Sequence, residues 1–283
     1  MSDAHIAVAL VLASALMHAT WNAIVKLSGE RLAVMAVIDS FCCAIALSLL
    51  PFVPLPHAQA WPFLIGSATV AVAYKFGLLG AYRHGDFTQA YPLMRGSAPL
   101  FVALLTLGLG LDRISGGGYA GIALICCGLF ILVDWRQSRP GLLVSGLAAG
   151  GALAVGTLLD GTAVRRFGDP LTYLVWLEIF EHVPLPLFAL IRRRPQYIAV
   201  LRGQWRRAGL GAVNRIGSYG LMVFAMSLAA IAPLAALRET SVIFAALIAY
   251  FVMKEPFGAK RVGATALVVG GIAVLQLTRA ASS

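Results

Sequence analysis

Residues 32–53 read LAVMAVIDSFCCAIALSLLPFV, a stretch of 22 residues in which Asp39 is the one charged side chain. A helix of about 20 apolar residues is long enough to cross the hydrocarbon core of a bilayer. In lipid every backbone polar group must be satisfied within its own segment, and a helix does this where a single strand does not. The stretch therefore predicts a membrane-spanning helix that carries one buried carboxylate.

The rest of the chain has the same character. Of its 283 residues, 60% are hydrophobic and 12% are charged, whereas a soluble domain carries about 25% charged residues. This composition excludes a cytosolic enzyme, a secreted disulfide scaffold and a disordered chain. The apolar stretches predict an all-α integral membrane protein with about ten transmembrane helices, at residues 4–25, 32–53, 61–82, 87–108, 118–133, 141–162, 171–191, 208–228, 232–252 and 262–277.

Matched charges indicate an internal duplication into residues 1–139 and 140–283. A shift of 139 residues places Asp39 on Glu178, and a shift of 143 places Arg95 on Arg238. Each half contains five predicted spans, an odd number, so the second half is expected to enter the membrane in the opposite orientation. Inverted repeats of this kind are typical of transporters, whose substrate site lies near the bilayer midplane where the repeats meet.

The basic residues predict the orientation of the chain. Of the Lys and Arg residues in the loops, fourteen lie on one face of the predicted topology and four on the other. Six of the fourteen are in a basic loop expected between spans seven and eight, at residues 192–207. The positive-inside rule then places both termini outside. No basic face with base-reading elements accompanies the net charge of +10, so we expect no nucleic-acid partner.

No motif predicts catalysis or a bound cofactor. The four cysteines form the vicinal pairs Cys42-Cys43 and Cys126-Cys127, without the spacing of a metal site. A GxxxxGK[ST] phosphate loop and a GxSxG nucleophile motif are both absent from the sequence. We therefore expect no enzyme activity, no cofactor, no metal and no direct use of ATP.

Three motifs carry a resemblance to a known family. The first span ends HATWNAIVK (residues 18–26), the fourth begins AYPLMRGSAPL (90–100), and the ninth runs from APL (232–234) to KEP (254–256). With two five-span halves, this order resembles the EamA-type branch of the drug/metabolite transporter superfamily over nearly the whole chain. The resemblance implies a carrier of small organic metabolites, often an exporter of amino acids or related compounds. It also implies cytoplasmic termini, in conflict with the arginine count, and a central cavity lined mainly by spans three, four, eight and nine, with five and ten peripheral.

Charged side chains inside the spans are the candidate substrate ligands, because each costs about 2.5–3.5 kcal/mol on insertion scales and needs a partner or a wet cavity. Arg95 and Arg238 occupy corresponding places in the two halves. A guanidinium can grip a carboxylate or phosphonate with two hydrogen bonds, or it can neutralise a buried acid. Lys75 can meet a substrate anion or a buried acid in the same way. The aromatic candidates for the wall of the pocket are Tyr74, Tyr91 and Tyr219.

Three carboxylates inside the spans are candidates for proton coupling: Glu239, Glu178 and Asp39. The alternative for Glu239 is a structural ion pair with Lys75 or Arg215. For Glu178 and Asp39 the alternative is a scaffold contact or a place near a helix end.

The sequence thus predicts a secondary transporter in the cell inner (plasma) membrane, acting by alternating access. We expect it to export a small polar organic metabolite, such as an amino acid or a related compound. Two alternatives stay open: an uptake carrier for an anionic metabolite such as a phosphonate, and a membrane-embedded protein without transport activity. The expected partners are a small-molecule substrate, membrane lipids and a coupling ion. The identity of the substrate, the coupling ion and the oligomeric state are not readable from the residues.

Overall fold

The chain is described by a computed structural model over residues 3–28, 30–84, 87–111, 114–133, 135, 140–252, 254 and 258–280, without the side chains of residues 76–84, 87–91, 261, 279 and 280. Within these residues the structure is helical and contains no strand. The helices of the first half are α1 (Asp3–Lys26), α2 (Arg31–Leu49), α3 (Trp61–His84), α4 (Phe87–Gly108) and α5 (Gly116–Ile131). Those of the second half are α6 (Pro140–Phe167), α7 (Pro170–His182), α8 (Pro184–Arg192), α9 (Arg194–Leu228), α10 (Ile231–Arg238), α11 (Ser241–Phe251) and α12 (Ala259–Ala280).

Each of the ten predicted spans coincides with a helix or a broken helix, which confirms an all-α membrane protein. Five segments of the described chain are long and apolar enough to cross a bilayer by length and composition: Asp3–Lys26, Arg31–Phe52, Pro140–Phe167, Pro170–Arg192 and Ile231–Phe251. Shorter apolar helices cover Pro92–Gly108, Gly116–Ile131 and Val262–Thr278.

The prediction of a basic loop at residues 192–207 is wrong in one respect, because most of this segment is helical. Helix α9 begins at Arg194, with Pro195 in its first turn, where the missing N–H costs nothing. Non-helical dihedral angles at Gln204 separate this amphipathic segment from the span that follows. The Tyr197 hydroxyl lies 2.7 Å from that of Ser40 on α2, so the segment packs its apolar side against the first half and exposes its arginines.

Spans seven and nine are discontinuous. Pro184 begins α8 directly after α7, because a proline lacks the N–H that would continue the helix and its ring clashes with the preceding turn. The ninth span divides into α10 and α11 at Glu239 and Thr240, where the backbone forms a tighter turn with Val242 donating to the Glu239 carbonyl. In transporters, broken helices of this kind place polar groups near the membrane midplane.

Helices at corresponding positions in the two halves make corresponding contacts. The contact of α1 with α9 matches that of α6 with α3, and the contact of α4 with α6 matches that of the broken ninth span with α1. The fifth and tenth spans, α5 and α12, pack on each other. The main apolar core is formed by residues of α1, α3, α4, α5, α6, α7, α9, α10 and α12, and it includes the fully buried Leu64, Leu177 and Met222.

The crossing of α5 and α12 shows the same correspondence between the two halves at the level of residues. A Cβ built on Gly121 would lie 2.8 Å from the Gly271 carbonyl oxygen, and one on Gly128 would lie 2.9 Å from that of Ala264. The residues 143 positions after Gly121 and Gly128 are Ala264 and Gly271. The two contacts therefore change places when the halves are exchanged. Only residues without a large side chain permit this approach of two backbones.

Candidate functional site

A cavity opens at the end of the molecule where α1 meets α2, with the exposed Lys26 and Arg31 at its mouth. Its walls are formed by residues of α1, α2, α3, α4, α6, α7, α9 and α10, and none of its described lining residues lies on α5 or α12. The peripheral position that the family resemblance implies for spans five and ten agrees with this arrangement. The contributions of spans one, two, six and seven go beyond the four spans that the resemblance names.

The deep end of the cavity is closed by packing between α6 and the region where α9 meets α10. A Cβ on Gly161 would lie 2.6 Å from the Ile231 Cδ1 atom, so glycine is required for this contact. Arg165 donates hydrogen bonds to the carbonyl oxygens of Met226, at 3.0 Å, and of Ala229. These contacts separate the cavity from the end of the molecule that carries the termini.

A buried polar cluster joins α2, α3, α7 and α9. Lys75 lies 2.9 Å from the Asp39 carboxylate and 3.4 Å from that of Glu181, and it also donates to the Glu181 carbonyl oxygen. The side chains of Asp39 and Lys75 are 0% and 6% exposed. Lys75 therefore meets a buried acid, which was one of the two roles that the sequence left open for it.

Arg215 forms the other half of this cluster. Its Nη2 lies 3.0 Å from the Glu181 carboxylate, and its Nε donates to the His182 Nε2 atom at 2.7 Å. Its guanidinium lies 5.0 Å from the centre of the Trp21 ring, and Trp21 lines the cavity. Glu181 is thus shared between a lysine of the first half and an arginine of the second.

His182 links Glu178 to the cluster. The His182 Nδ1 atom lies 2.9 Å from the Glu178 carbonyl oxygen and 3.4 Å from its carboxylate. Because Arg215 donates to Nε2, this geometry fits the neutral tautomer that carries its proton on Nδ1. Cys42 lies close enough for a Cys42–Glu178–His182 metal-ligand group, with donor atoms within 4.8 Å of one another. The set is one ligand short of a tetrahedral site, and Nδ1 is already engaged.

The charges of this cluster are related between the halves. Asp39 and Glu178 are 139 residues apart, and Lys75 and Arg215 are 140 residues apart. The first of these correspondences was found in the sequence. The second becomes visible only when the structure places the two cations on the same Glu181 carboxylate.

Arg95 on α4 contacts the break in the ninth span. Its Nε lies 3.0 Å from the Glu239 carboxylate, and its Nη2 donates to the Ser241 hydroxyl at 3.0 Å. Both charged side chains are at most 4% exposed. The expected pairing of Glu239 with Lys75 or Arg215 is therefore wrong. Those two cations bind acids of the other cluster, whereas Glu239 begins the turn that faces α4.

Arg238 lines the same cavity and lies over an aromatic ring. Its guanidinium carbon is 5.5 Å from the centre of the Tyr219 ring. The Tyr219 hydroxyl donates to one oxygen of Asp160 on α6, and the Tyr173 hydroxyl donates to the other oxygen at 2.7 Å. Arg238, Tyr219 and Asp160 therefore form a continuous row along the cavity wall.

The structure brings most of the predicted site residues together. Those that line the cavity are Arg95, Arg238, Lys75, Tyr74, Tyr219 and Glu178. Asp39 and Glu239 lie directly behind the wall as ion-pair partners of Lys75 and Arg95. The Tyr91 side chain lies outside the described residues.

Sequence reasoning gave no role to several residues that the structure places at the site. Asp160 was recognisable as a charge inside a span, but its partners Tyr173 and Tyr219 are not recognisable as such from the sequence. Ser241 carries no sequence signal, because a serine beside a helix break resembles a packing residue. Its contact with Arg95 depends on how α4 lies against the ninth span.

Comparisons with known proteins agree with this architecture. A family model described as the EamA-like transporter family matches residues 141–277. A solved crystal structure superimposes with a TM-score of 0.77 over 98% of this chain and 99% of the other, at 15% sequence identity, which shows a shared fold. No curated protein sequence matches the chain. Residues 141–277 of this multi-pass membrane protein therefore match a domain of the EamA-like transporter family, within the drug/metabolite transporter superfamily, and the whole chain shares the fold of the solved structure.

Proposed function

We propose that this protein is a secondary transporter of the cell inner membrane that exports a small polar organic metabolite, such as an amino acid or a related compound, by alternating access. The observation that carries the proposal is one cavity, open at one end and closed at the other, whose wall holds buried charges of both signs. Buried charges are costly in a membrane protein and mark the paths of polar solutes.

Two inverted repeats, residues 1–139 and 140–283, are part of the proposal. The exchange of helix contacts between the halves supports it, and so does the paired crossing of α5 and α12. In such a molecule the second conformation exchanges the roles of the two halves. The cavity would then close where Lys26 and Arg31 now flank its mouth, and it would open beneath Asp160.

We assign the anionic end of the substrate to Arg238 and Arg95. Both line the cavity, and a guanidinium offers a planar pair of donors to a carboxylate. Lys75 is assigned to the opposite wall, where Asp39 holds it in position. Tyr74 and Tyr219 supply aromatic wall, and Tyr91 is kept as a candidate from its sequence position.

Proton coupling is assigned to the cluster around Glu181. The described part of this cluster contains three carboxylates, Asp39, Glu178 and Glu181, and two basic side chains, Lys75 and Arg215. The acids exceed the basic side chains by one, so one bound proton makes the cluster electrically neutral. Glu178, whose closest basic partner among the described residues is His182, is the member best placed to take it. Glu239, which is held by Arg95, is the second candidate.

The experiment that tests the proposal is efflux from cells. Cells that express the protein and are preloaded with a mixture of isotope-labelled amino acids should release at least one of them faster than cells without it. Arg238→Gln should reduce this release by at least ten-fold, because one lost bidentate contact weakens binding by one or more powers of ten. Arg206→Gln is the matched control, since Arg206 is exposed outside the cavity.

The presence of Arg95 and Arg238 among the four arginines that line the cavity also favours a second candidate function, the uptake of an anionic metabolite such as a phosphonate. The two candidates differ in direction and in charge requirement. Expression that supports growth on a phosphonate as the phosphorus source, without amino-acid release, would establish the second and reject the first. If neither efflux nor uptake depends on Arg95 or Arg238 and both variants only melt earlier, a non-transport role is left.

A further inference from the structure

We propose that Asp160 binds an ammonium group of the substrate, so that the ligand is a small zwitterion held between Asp160 and Arg238. The inference rests on the proposed transport function and adds to it a cationic requirement and a residue that recognises it.

The described residues around the Asp160 carboxylate leave its set of hydrogen-bond donors incomplete. The side chain is 0% exposed and lines the deep end of the cavity. Its two oxygens accept the hydroxyl protons of Tyr173 and Tyr219. An ionised carboxylate offers about four acceptor positions. With the Ser67 hydroxyl as a third donor, the described residues fill three of these positions and leave one without a donor.

The charges around the cavity favour a cationic group at Asp160. The four other acids at the cavity each lie within 4 Å of a basic side chain, as Asp39–Lys75, Glu181–Arg215, Glu239–Arg95 and Glu178–His182. For Asp160 the described residues provide hydroxyl donors and no Lys, Arg or His within that distance. A buried anion needs a compensating positive charge. A substrate ammonium, with three donors, supplies both the charge and the missing hydrogen bond.

Tyr219 lies between the two ends of the proposed site. The Arg238 guanidinium lies over the face of the Tyr219 ring, and the hydroxyl of the same ring donates to Asp160. One phenol ring thus separates the positive group from the negative one. A small ligand with an ammonium group at one end and a carboxylate at the other can bridge the two groups, with a charge-assisted hydrogen bond of about 2.8 Å at each end.

The test is thermal unfolding of the purified full-length protein in detergent, with the twenty standard amino acids as probes. For each amino acid that raises the melting temperature, its decarboxylated amine and its deaminated acid are measured over the same concentrations. A ligand that binds the folded state raises its stability in proportion to the logarithm of its concentration relative to Kd. We expect the amino acid to bind at least ten-fold more tightly than its deaminated acid.

Two variants assign the effect to a residue. Asp160→Asn should lose the difference between the amino acid and its deaminated acid, because the amide still accepts a hydroxyl proton but carries no charge. Asp169→Asn should keep it, because Asp169 is an exposed N-cap of α7 and asparagine caps a helix equally well. Where Asp160→Asn does not fold, the comparison of the three probes on the unaltered protein still decides.

Each other outcome overturns the inference. No response to any amino acid or amine would do so, as would an unchanged preference in Asp160→Asn. A sodium-dependent rise in melting temperature that Asp160→Asn abolishes, without a response to amines, would make Asp160 an inorganic cation site. Efflux of a solute without an amino group would leave the transport function intact and reject the ammonium site alone.

Discussion

At the scale of residues, the main feature of the cavity is the pairing of its buried charges. Asp39 and Lys75 come from neighbouring spans, and both are almost completely buried. Isolated in this position, each would carry a desolvation cost of several kcal/mol. Their contact offsets part of that cost and leaves the rest to Glu181 and Arg215, so the cluster is a network and not a set of independent pairs.

This network predicts non-additive mutations. Lys75→Met should destabilise the protein by about 3–5 kcal/mol, because it leaves the Asp39 carboxylate without its closest cation. Adding Asp39→Asn should restore at least half of the loss in melting temperature, since the uncompensated charge is then gone. Melting curves of the two single variants and the double variant in detergent test this. Losses that simply add would show that the two residues do not depend on each other.

The sequence located the charged residues of the site but not their partners. Arg95 and Glu239 were both found as charges inside spans, yet 144 positions separate them. They meet because α4 packs against the broken ninth span. Hydropathy and spacing describe one helix at a time, so they predict each buried charge and leave open which opposite charge it meets.

At the scale of elements, the sequence predicts where the spans lie but not where a span breaks. The lengths of the apolar stretches predicted all ten spans, because the thickness of the bilayer sets the length of a spanning helix. The division of the ninth span at Glu239 and Thr240 was not predicted, since neither residue is a strong helix breaker. The helical start of α9 was also missed, because its arginines resemble a loop while its apolar side packs on α2.

The contact between α5 and α12 gives a prediction for adjacent glycines. Gly271→Ala should destabilise the protein by about 1–3 kcal/mol, because the new methyl group would lie 2.6 Å from the Gly121 carbonyl oxygen. Gly270→Ala should be neutral or stabilising by up to about 1 kcal/mol, because its Cβ meets nothing within 4 Å and alanine favours the helix. Melting temperatures of the two variants compare the sites directly. Equal effects would mean that α5 and α12 do not touch here.

At the scale of the whole molecule, the exposed basic residues and the mouth of the cavity lie at the same end. The exposed arginines at the start of α9 lie at the end opposite the termini, and the cavity mouth with Lys26 and Arg31 lies at that same end. The positive-inside rule predicts that this end faces the cytoplasm. The cavity of the present conformation would then receive its ligand from inside the cell, as export requires.

Thiol labelling tests this orientation. In a variant without the four native cysteines, single cysteines are placed at the exposed Gln59 and at the exposed Arg206. A membrane-impermeant maleimide added to intact cells should label position 59 and reach position 206 only after the cells are broken open. The reverse result would place the termini inside, as the family resemblance implies, and the mouth of the cavity outside.

The glycine crossing of α5 and α12 also limits how the molecule can move. Each backbone occupies the space in which a side chain of the other would stand, so neither helix can slide along its partner without a collision. In the proposed transport cycle we therefore expect α5 and α12 to move together as one unit at the periphery, while the eight spans that line the cavity tilt relative to each other.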